Sequence, residues 1–104
     1  HLLGARGRGW LLQPETFRQL HRPRGDEEYA LGWVVVASPL AGGLALTHAG
    51  SNLNWYSVAW VMPVLNIALF VVTNQGGEAG FRAVDDAVGA LMQYAGETIP
   101  GIAR

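Results

Sequence analysis

The fold is decided by residues 55–73, whose sequence is WYSVAWVMPVLNIALFVVT. This stretch carries no charged residue, and it is about long enough for a helix that spans a bilayer. However, Pro63-Val64-Leu65-Asn66 is a turn signal in its middle, and both halves are rich in β-branched and aromatic residues, which favour strands. We therefore predict a hairpin of two strands, 55–62 and 67–73, in preference to a membrane span.

Two more strands are predicted before this hairpin, over residues 29–37 and 44–49, because both are short apolar runs bounded by turn residues. The turn between them, residues 38–43, contains Pro39 and two consecutive glycines. Gly32 lies inside the first of these strands, where a glycine weakens the strand unless another backbone approaches closely. Residues 51–54 are predicted to form a loop.

Helices are predicted on either side of the strands. Pro14 and Glu15 are favourable in a first helical turn and predict a short helix over residues 14–21. A longer amphipathic helix is predicted over 78–95, and Gly96 suits its C-terminal end. Its apolar face is Phe81, Val84, Val88, Leu91, Met92 and Ala95.

These elements predict an α/β chain of the α+β type, with an antiparallel sheet and the C-terminal helix packed on one face. The expected divisions are helix and loops over 1–28, antiparallel strands over 29–73, the C-terminal helix over 74–96 and a tail over 97–104. Both faces of the hairpin strands are apolar, yet one long helix covers only one face. A second layer is therefore expected from elsewhere.

Composition supports the same expectation of a partner. The 104 residues are 50% hydrophobic and 14% charged, and a chain this small buries a limited fraction of its surface. Its first residues, HLLGARG, contain neither an initiator Met nor a signal peptide, which predicts that the chain begins within a longer protein. The expected partners are the remainder of that polypeptide, a second chain, or further copies of this one.

Charge and residue types exclude several functions. The net charge is −1, and the basic residues near the start are followed at once by Asp26, Glu27 and Glu28, so no nucleic-acid partner is expected. The chain has no Lys and no Cys, which removes Lys-based and thiolate chemistry and leaves periplasm and cytoplasm equally compatible. The three His residues lack the spacing of metal ligands, so neither a metal nor another cofactor is expected.

Few residues are candidates for chemistry. His48 follows a predicted strand and precedes Ala49 and Gly50, where small residues let a ligand approach the backbone; the alternative is a structural or surface histidine. No acid partner for His48 is evident, so a self-contained catalytic triad is not supported. Ser51 has no recognisable base, and it and Asn52 have ordinary uses in turns.

Four sequence motifs, taken in their order along the chain, resemble those of a known family, although each motif alone is weak. They are LQPETFRQLHRP at 12–23, YALGW at 29–33, THAGS at 47–51 and VVTNQG at 71–76, followed by an amphipathic helix. Over roughly residues 1–95 this order resembles the C-terminal region of the serine β-lactamase-like family. That family includes class C β-lactamases, D-alanyl-D-alanine carboxypeptidase-like proteins and related esterases.

The resemblance implies roles for the stretch around His48. Such proteins carry a Lys-Thr-Gly or His-x-Gly triplet on a strand beside the active site, and His48-Ala49-Gly50 matches the second form. By this resemblance His48 orients substrate and catalytic groups, and the backbone at Gly50 and Ser51 supplies an oxyanion donor. Ala49 and Asn52 would then contact a small acyl substrate.

The chain departs from the family in lacking the reacting groups. The family's Ser-x-x-Lys and Tyr-x-Asn motifs lie upstream, and neither occurs here. The resemblance thus implies a fragment of a serine hydrolase that acts on esters, amides or lactams through an acyl-enzyme and is inactive alone. The triplet has His and Ala where β-lactamases have Lys and Thr, which favours esterase or peptidase-like hydrolysis.

Three other functions stay open on the sequence alone. The first is an interaction module that self-associates through an exposed sheet face. The second is a non-catalytic binder of peptidoglycan-like ligands. The third is a hydrophobic hairpin that acts at a membrane surface.

Overall fold

The computed structural model describes residues 1–102, so the last two residues of the expected 97–104 tail lie outside the described part of the chain. The elements follow one another along the chain as two short helices, a strand, a 3-10 turn, three strands and a long helix. Their bounds are α1 Leu2–Ala5, α2 Pro14–Leu20, β1 Val34–Ser38, the 3-10 turn Pro39–Ala41, β2 Gly43–Ser51, β3 Tyr56–Met62, β4 Ile67–Thr73 and α3 Gly77–Thr98.

The strands form one antiparallel sheet in the order β1-β2-β3-β4, so each strand lies beside its neighbour in the sequence. The helix α3 packs against the sheet through an edge-to-face contact between Phe81 and Tyr56 of β3, whose ring centroids are 5.8 Å apart. The predicted architecture, an antiparallel sheet with a C-terminal helix, is confirmed. The turn at residues 63–66 divides the apolar stretch into two strands, with Asn66 at a φ of 58°.

The first strand is shorter than predicted. It begins at Val34, and before it only Tyr29 forms an isolated bridge, to Val34 itself. Gly32 lies between them with a φ of 88°, a conformation that glycine adopts without steric cost. A Cβ on Gly32 would meet no neighbouring atom within 4 Å, and the prediction that Gly32 lies inside the strand is wrong. Gly32 allows the chain to reverse direction between Tyr29 and Val34.

The described residues fall into two compact units. The first comprises residues 1–48 and 60–68. Its core is the cluster Ala30, Val35, Leu46 and Val61, with Leu2 and Trp33 packed against it. In the same unit the ring of Phe17 lies so close to Gly4 and Gly9 that a side chain at either glycine would collide with it.

The second unit comprises residues 49–59 and the chain from residue 69 onward. Val84 and Ala95 are buried along α3, as the helical spacing predicts, whereas Phe81 and Leu91 remain exposed. The helix continues through Gly96 to Thr98, so the predicted stop at Gly96 is wrong. A glycine inside a helix costs only about 1 kcal/mol relative to alanine, so Gly96 does not have to end the helix.

Much apolar surface stays exposed. Phe70 and Val72 of β4 are 67% and 57% exposed, and the sequence analysis expects a second layer over this sheet to come from elsewhere. Among residues 1–102, no helix has both the length and the apolar character that membrane crossing requires.

Candidate functional site

The two strands that lead to the candidate site differ in length. Pairing between β1 and β2 runs from Ser38 opposite Gly43 to Val34 opposite Thr47. The strand β2 continues to Ser51, past the end of that pairing. Residues 48–51 therefore have β3 on one side and no continuation of β1 on the other.

The direction of each amide in β2 follows from one hydrogen bond in β1. The amide of Val35 donates to the carbonyl of Glu28 at 2.7 Å, so it points away from β2. In an antiparallel pair this makes Val35 and Leu46 a non-hydrogen-bonded pair, and the backbone of Thr47 faces β1. Backbone amides point to alternate sides along a strand. The amides of Ala49 and Ser51 therefore point to the same side as that of Thr47, beyond the last residue that pairs with β1.

The side chain of Ser51 is committed to the loop that follows. Its hydroxyl donates to the carbonyl of Trp55 at 2.6 Å and accepts from the amide of Leu53 at 3.2 Å. With donor and acceptor both used, the hydroxyl is a turn-stabilising group, as the composition of the loop predicts. The backbone amide is the part of Ser51 that faces the open edge.

The loop of residues 52–55, which the Ser51 hydroxyl holds, packs against Gly76. The sequence analysis did not identify this role of Gly76. Gly76, just before α3, lies directly against the carbonyl of Leu53, and a Cβ on Gly76 would overlap that carbonyl. Leu53 itself has a φ of 78°, which is strained for a bulky side chain. The occurrence of Gly76 at the end of the VVTNQG motif was the available signal.

The other predicted site residues are all exposed. The His48 ring lies 6.0 Å from that of Tyr29, centroid to centroid. Within residues 1–102, no carboxylate forms an ion pair with His48. Ala49 and Gly50 present little side-chain bulk, and Asn52 is exposed in the loop.

A second group of polar and aromatic side chains lies in the first unit. His1 Nδ1 and His21 Nε2 are 2.9 Å apart, and the His1 ring meets Trp33 edge-on with centroids 5.0 Å apart. Partial burial lowers the pKa of His21, and the positively charged N-terminus lowers it further. In the described part of the chain, no three His, Asp or Glu side chains are grouped to hold a metal ion.

No family model, curated protein or solved structure matches this chain. The resemblance to the serine β-lactamase-like family therefore stays a prediction from the sequence motifs.

Proposed function

We propose that this chain supplies one wall of the active site of an acyl-transferring serine hydrolase. The observation that carries the proposal is that β2 runs on to Ser51, while its pairing with β1 ends at Thr47, so that within residues 1–102 the amides of Ala49 and Ser51 lie beyond the last β1 partner. Hydrogen-bond donors fixed on a rigid strand stabilise negative charge as it develops on an attacked carbonyl oxygen. The motif order around THAGS gives independent support.

The proposed reaction divides the work between this chain and the part that carries the nucleophile. A serine hydroxyl from that part attacks an ester or amide carbonyl, and the leaving group departs with a proton to form an acyl-enzyme. Water then hydrolyses the acyl-enzyme. The Ser51 amide donates to the oxyanion in both steps, and exposed His48 orients the substrate.

The test separates the amide of Ser51 from its hydroxyl. In the full polypeptide encoded by the gene that contains this sequence, Ser51→Pro removes the amide donor, and Ser51→Ala keeps it. Proline is tolerated in a strand where the amide faces an unpaired edge. We expect Ser51→Pro to lower kcat for a p-nitrophenyl ester by about 10²–10³-fold, as the loss of one oxyanion donor does.

Ser51→Ala is the matched control, since it loses only the hydrogen bonds to Trp55 and Leu53. It should lower thermal stability while retaining most of kcat. Equal kcat values for the two variants, with both folded by circular dichroism, would refute the role of the amide. The isolated chain should show no ester turnover above the blank, and turnover by a pure sample would overturn the need for a second part.

An alternative is an interaction module that self-associates through β4. It is favoured by one observation, the exposure of Phe70 and Val72 on an edge strand. Sedimentation equilibrium would then find a dimer that Phe70→Ser converts to a monomer. The matched control is Leu53→Ser, since Leu53 is still more exposed but lies outside β4. A monomer at all concentrations would exclude this alternative.

A further inference from the structure

A cavity of about 570 Å³ lies wholly within the first unit. Its apolar wall combines strand and turn residues: Val35, Leu44, Leu46, Pro63 and Val64. Val35 and Leu46 are themselves buried, so part of this wall belongs to the core of the unit. The volume and lining suit a small organic ligand, since such sites are concave and mostly apolar.

The lining also carries positive charge from two arginines. Arg18 and Arg22 line the cavity together with His21, and among the described residues that form its walls none is acidic. Arg18 forms an ion pair with exposed Glu15, whose carboxylate accepts a hydrogen bond from Arg18 Nε at 2.9 Å. Arg22 forms no ion pair within residues 1–102. Its guanidinium is the free positive charge beside the apolar wall.

The walls are held in position by contacts outside the cavity. Arg6 Nη1 donates to the carbonyl of Pro63 at 2.6 Å and so ties the segment after α1 to the turn between β3 and β4. Phe17 fills the space between Gly4 and Gly9 and fixes α2 against α1. A cavity framed in this way exists before a ligand arrives, which lowers the cost of binding.

We propose that this cavity binds a small monocarboxylate with an unbranched apolar tail. The tail lies against Val35, Leu44 and Leu46, and the carboxylate pairs with the guanidinium of Arg22. Arginine matches a carboxylate in charge and in planar geometry, and such charge-assisted hydrogen bonds are stronger than neutral ones. The proposal is independent of any hydrolase activity, because it uses neither His48 nor the Ser51 amide.

The test is a calorimetric titration of the chain with decanoate, well below micelle-forming concentrations. Decanol, which has the same tail without the charge, is the ligand control. We expect saturable decanoate binding that is about tenfold tighter than that of decanol. Arg22→Gln should weaken decanoate binding about five- to tenfold and leave decanol binding unchanged, because it removes only the charged partner.

Matched variants separate the cavity from general surface effects. Arg24→Gln removes a nearby charge outside the cavity and should leave binding unchanged. Leu44→Ser should weaken binding of both ligands, whereas Leu40→Ser, at a position 74% exposed and outside the cavity, should not. Circular dichroism of each variant confirms that it is folded.

A second readout follows the ligand itself. Decanoate labelled with ¹³C at its carboxyl carbon should show a pKa below its free value when bound, since the adjacent Arg22 favours the charged form. Arg22→Gln should return that pKa toward the free value. Absence of saturable binding, equal binding of decanol and decanoate, or equal effects of Arg22→Gln and Arg24→Gln would each overturn the proposal.

Discussion

Gly76 shows how a single backbone position can control the candidate site. Its backbone lies so close to the Leu53 carbonyl that no side chain fits there. Any substitution must move the loop of residues 52–55, and the Ser51 hydroxyl holds that loop through Trp55 and Leu53. The order of the loop therefore depends on a residue far from it in the sequence.

Gly76→Ala should lower the free energy of unfolding by about 1–3 kcal/mol, the usual penalty for overpacking a site that cannot yield freely. The backbone at Gly76 has a φ of −94°, which alanine accepts, so the loss would come from the collision alone. Thermal and urea unfolding measure it. Gly50→Ala is the control for replacing glycine by alanine in general, since the nearest neighbour of its added Cβ is Ser57 Oγ at 3.9 Å, an ordinary contact distance. Equal stability of Gly76→Ala and the parent chain would contradict the packing of the loop on Gly76.

His21 gives the fold a dependence on pH. Its folded-state pKa is lowered from the ordinary value of 6.5 by burial and, to a smaller extent, by the N-terminal charge. The unfolded chain therefore binds the proton more readily than the folded chain. Stability is fully present above the unfolded pKa and declines as the pH falls toward the folded pKa.

We expect urea midpoints to fall on acidification between about pH 7 and pH 5, the range in which His titrates. His21→Gln should flatten that slope while keeping a hydrogen-bonding group beside His1. Acetylation of the N-terminus should reduce the slope only in part, because burial is the larger cause. An unchanged slope in His21→Gln would assign the pH dependence to other groups.

At the scale of elements, two of the four glycines in α3 have opposite effects on stability. Gly80 is buried, and a Cβ there would collide with the carbonyl of Gln75 and touch Tyr56. Gly89 lies exposed in the helix interior, where an added Cβ would meet no atom within 4 Å. The first permits the helix to approach β3, whereas the second only weakens the helix.

Gly89→Ala should raise the free energy of unfolding by about 1 kcal/mol, the difference in helix propensity between the two residues. Gly80→Ala should lower the free energy of unfolding by about 1–3 kcal/mol through overpacking. Both are read from thermal unfolding followed by circular dichroism. A gain in stability for Gly80→Ala would contradict the close approach of the Gln75 carbonyl to Gly80.

At the scale of the whole molecule, the sequence predicts elements better than their ends. The hairpin of β3 and β4 was predictable because Pro63 and Asn66 interrupt an apolar run with recognisable turn chemistry. The start of β1 was not, since YALGW has strand-like composition and only tertiary context makes Gly32 a reversal. The role of Gly76 was equally hidden, because it depends on the carbonyl of Leu53, which is distant in the sequence.

The candidate site was predictable in its residues but not in its geometry. The motif THAGS drew attention to His48, Gly50 and Ser51 from the sequence. Which amides face an open edge depends on where the pairing of β2 with β1 stops. That point is the pair of Thr47 with Val34, the first residue of β1. The cationic cavity could not be foreseen, because its walls come from α2, β1, β2 and the turn after β3.

The unequal lengths of β1 and β2 have a consequence for deuterium exchange. Amides of His48 and Gly50 face β3, whereas those of Ala49 and Ser51 face the side that β1 leaves open. In the isolated chain, residue-resolved NMR should find Ala49 and Ser51 exchanging with solvent much faster than His48 and Gly50. Uniform protection across the four would mean that something already covers the edge. The exchange pattern would thus identify, amide by amide, the donors that remain available to a ligand.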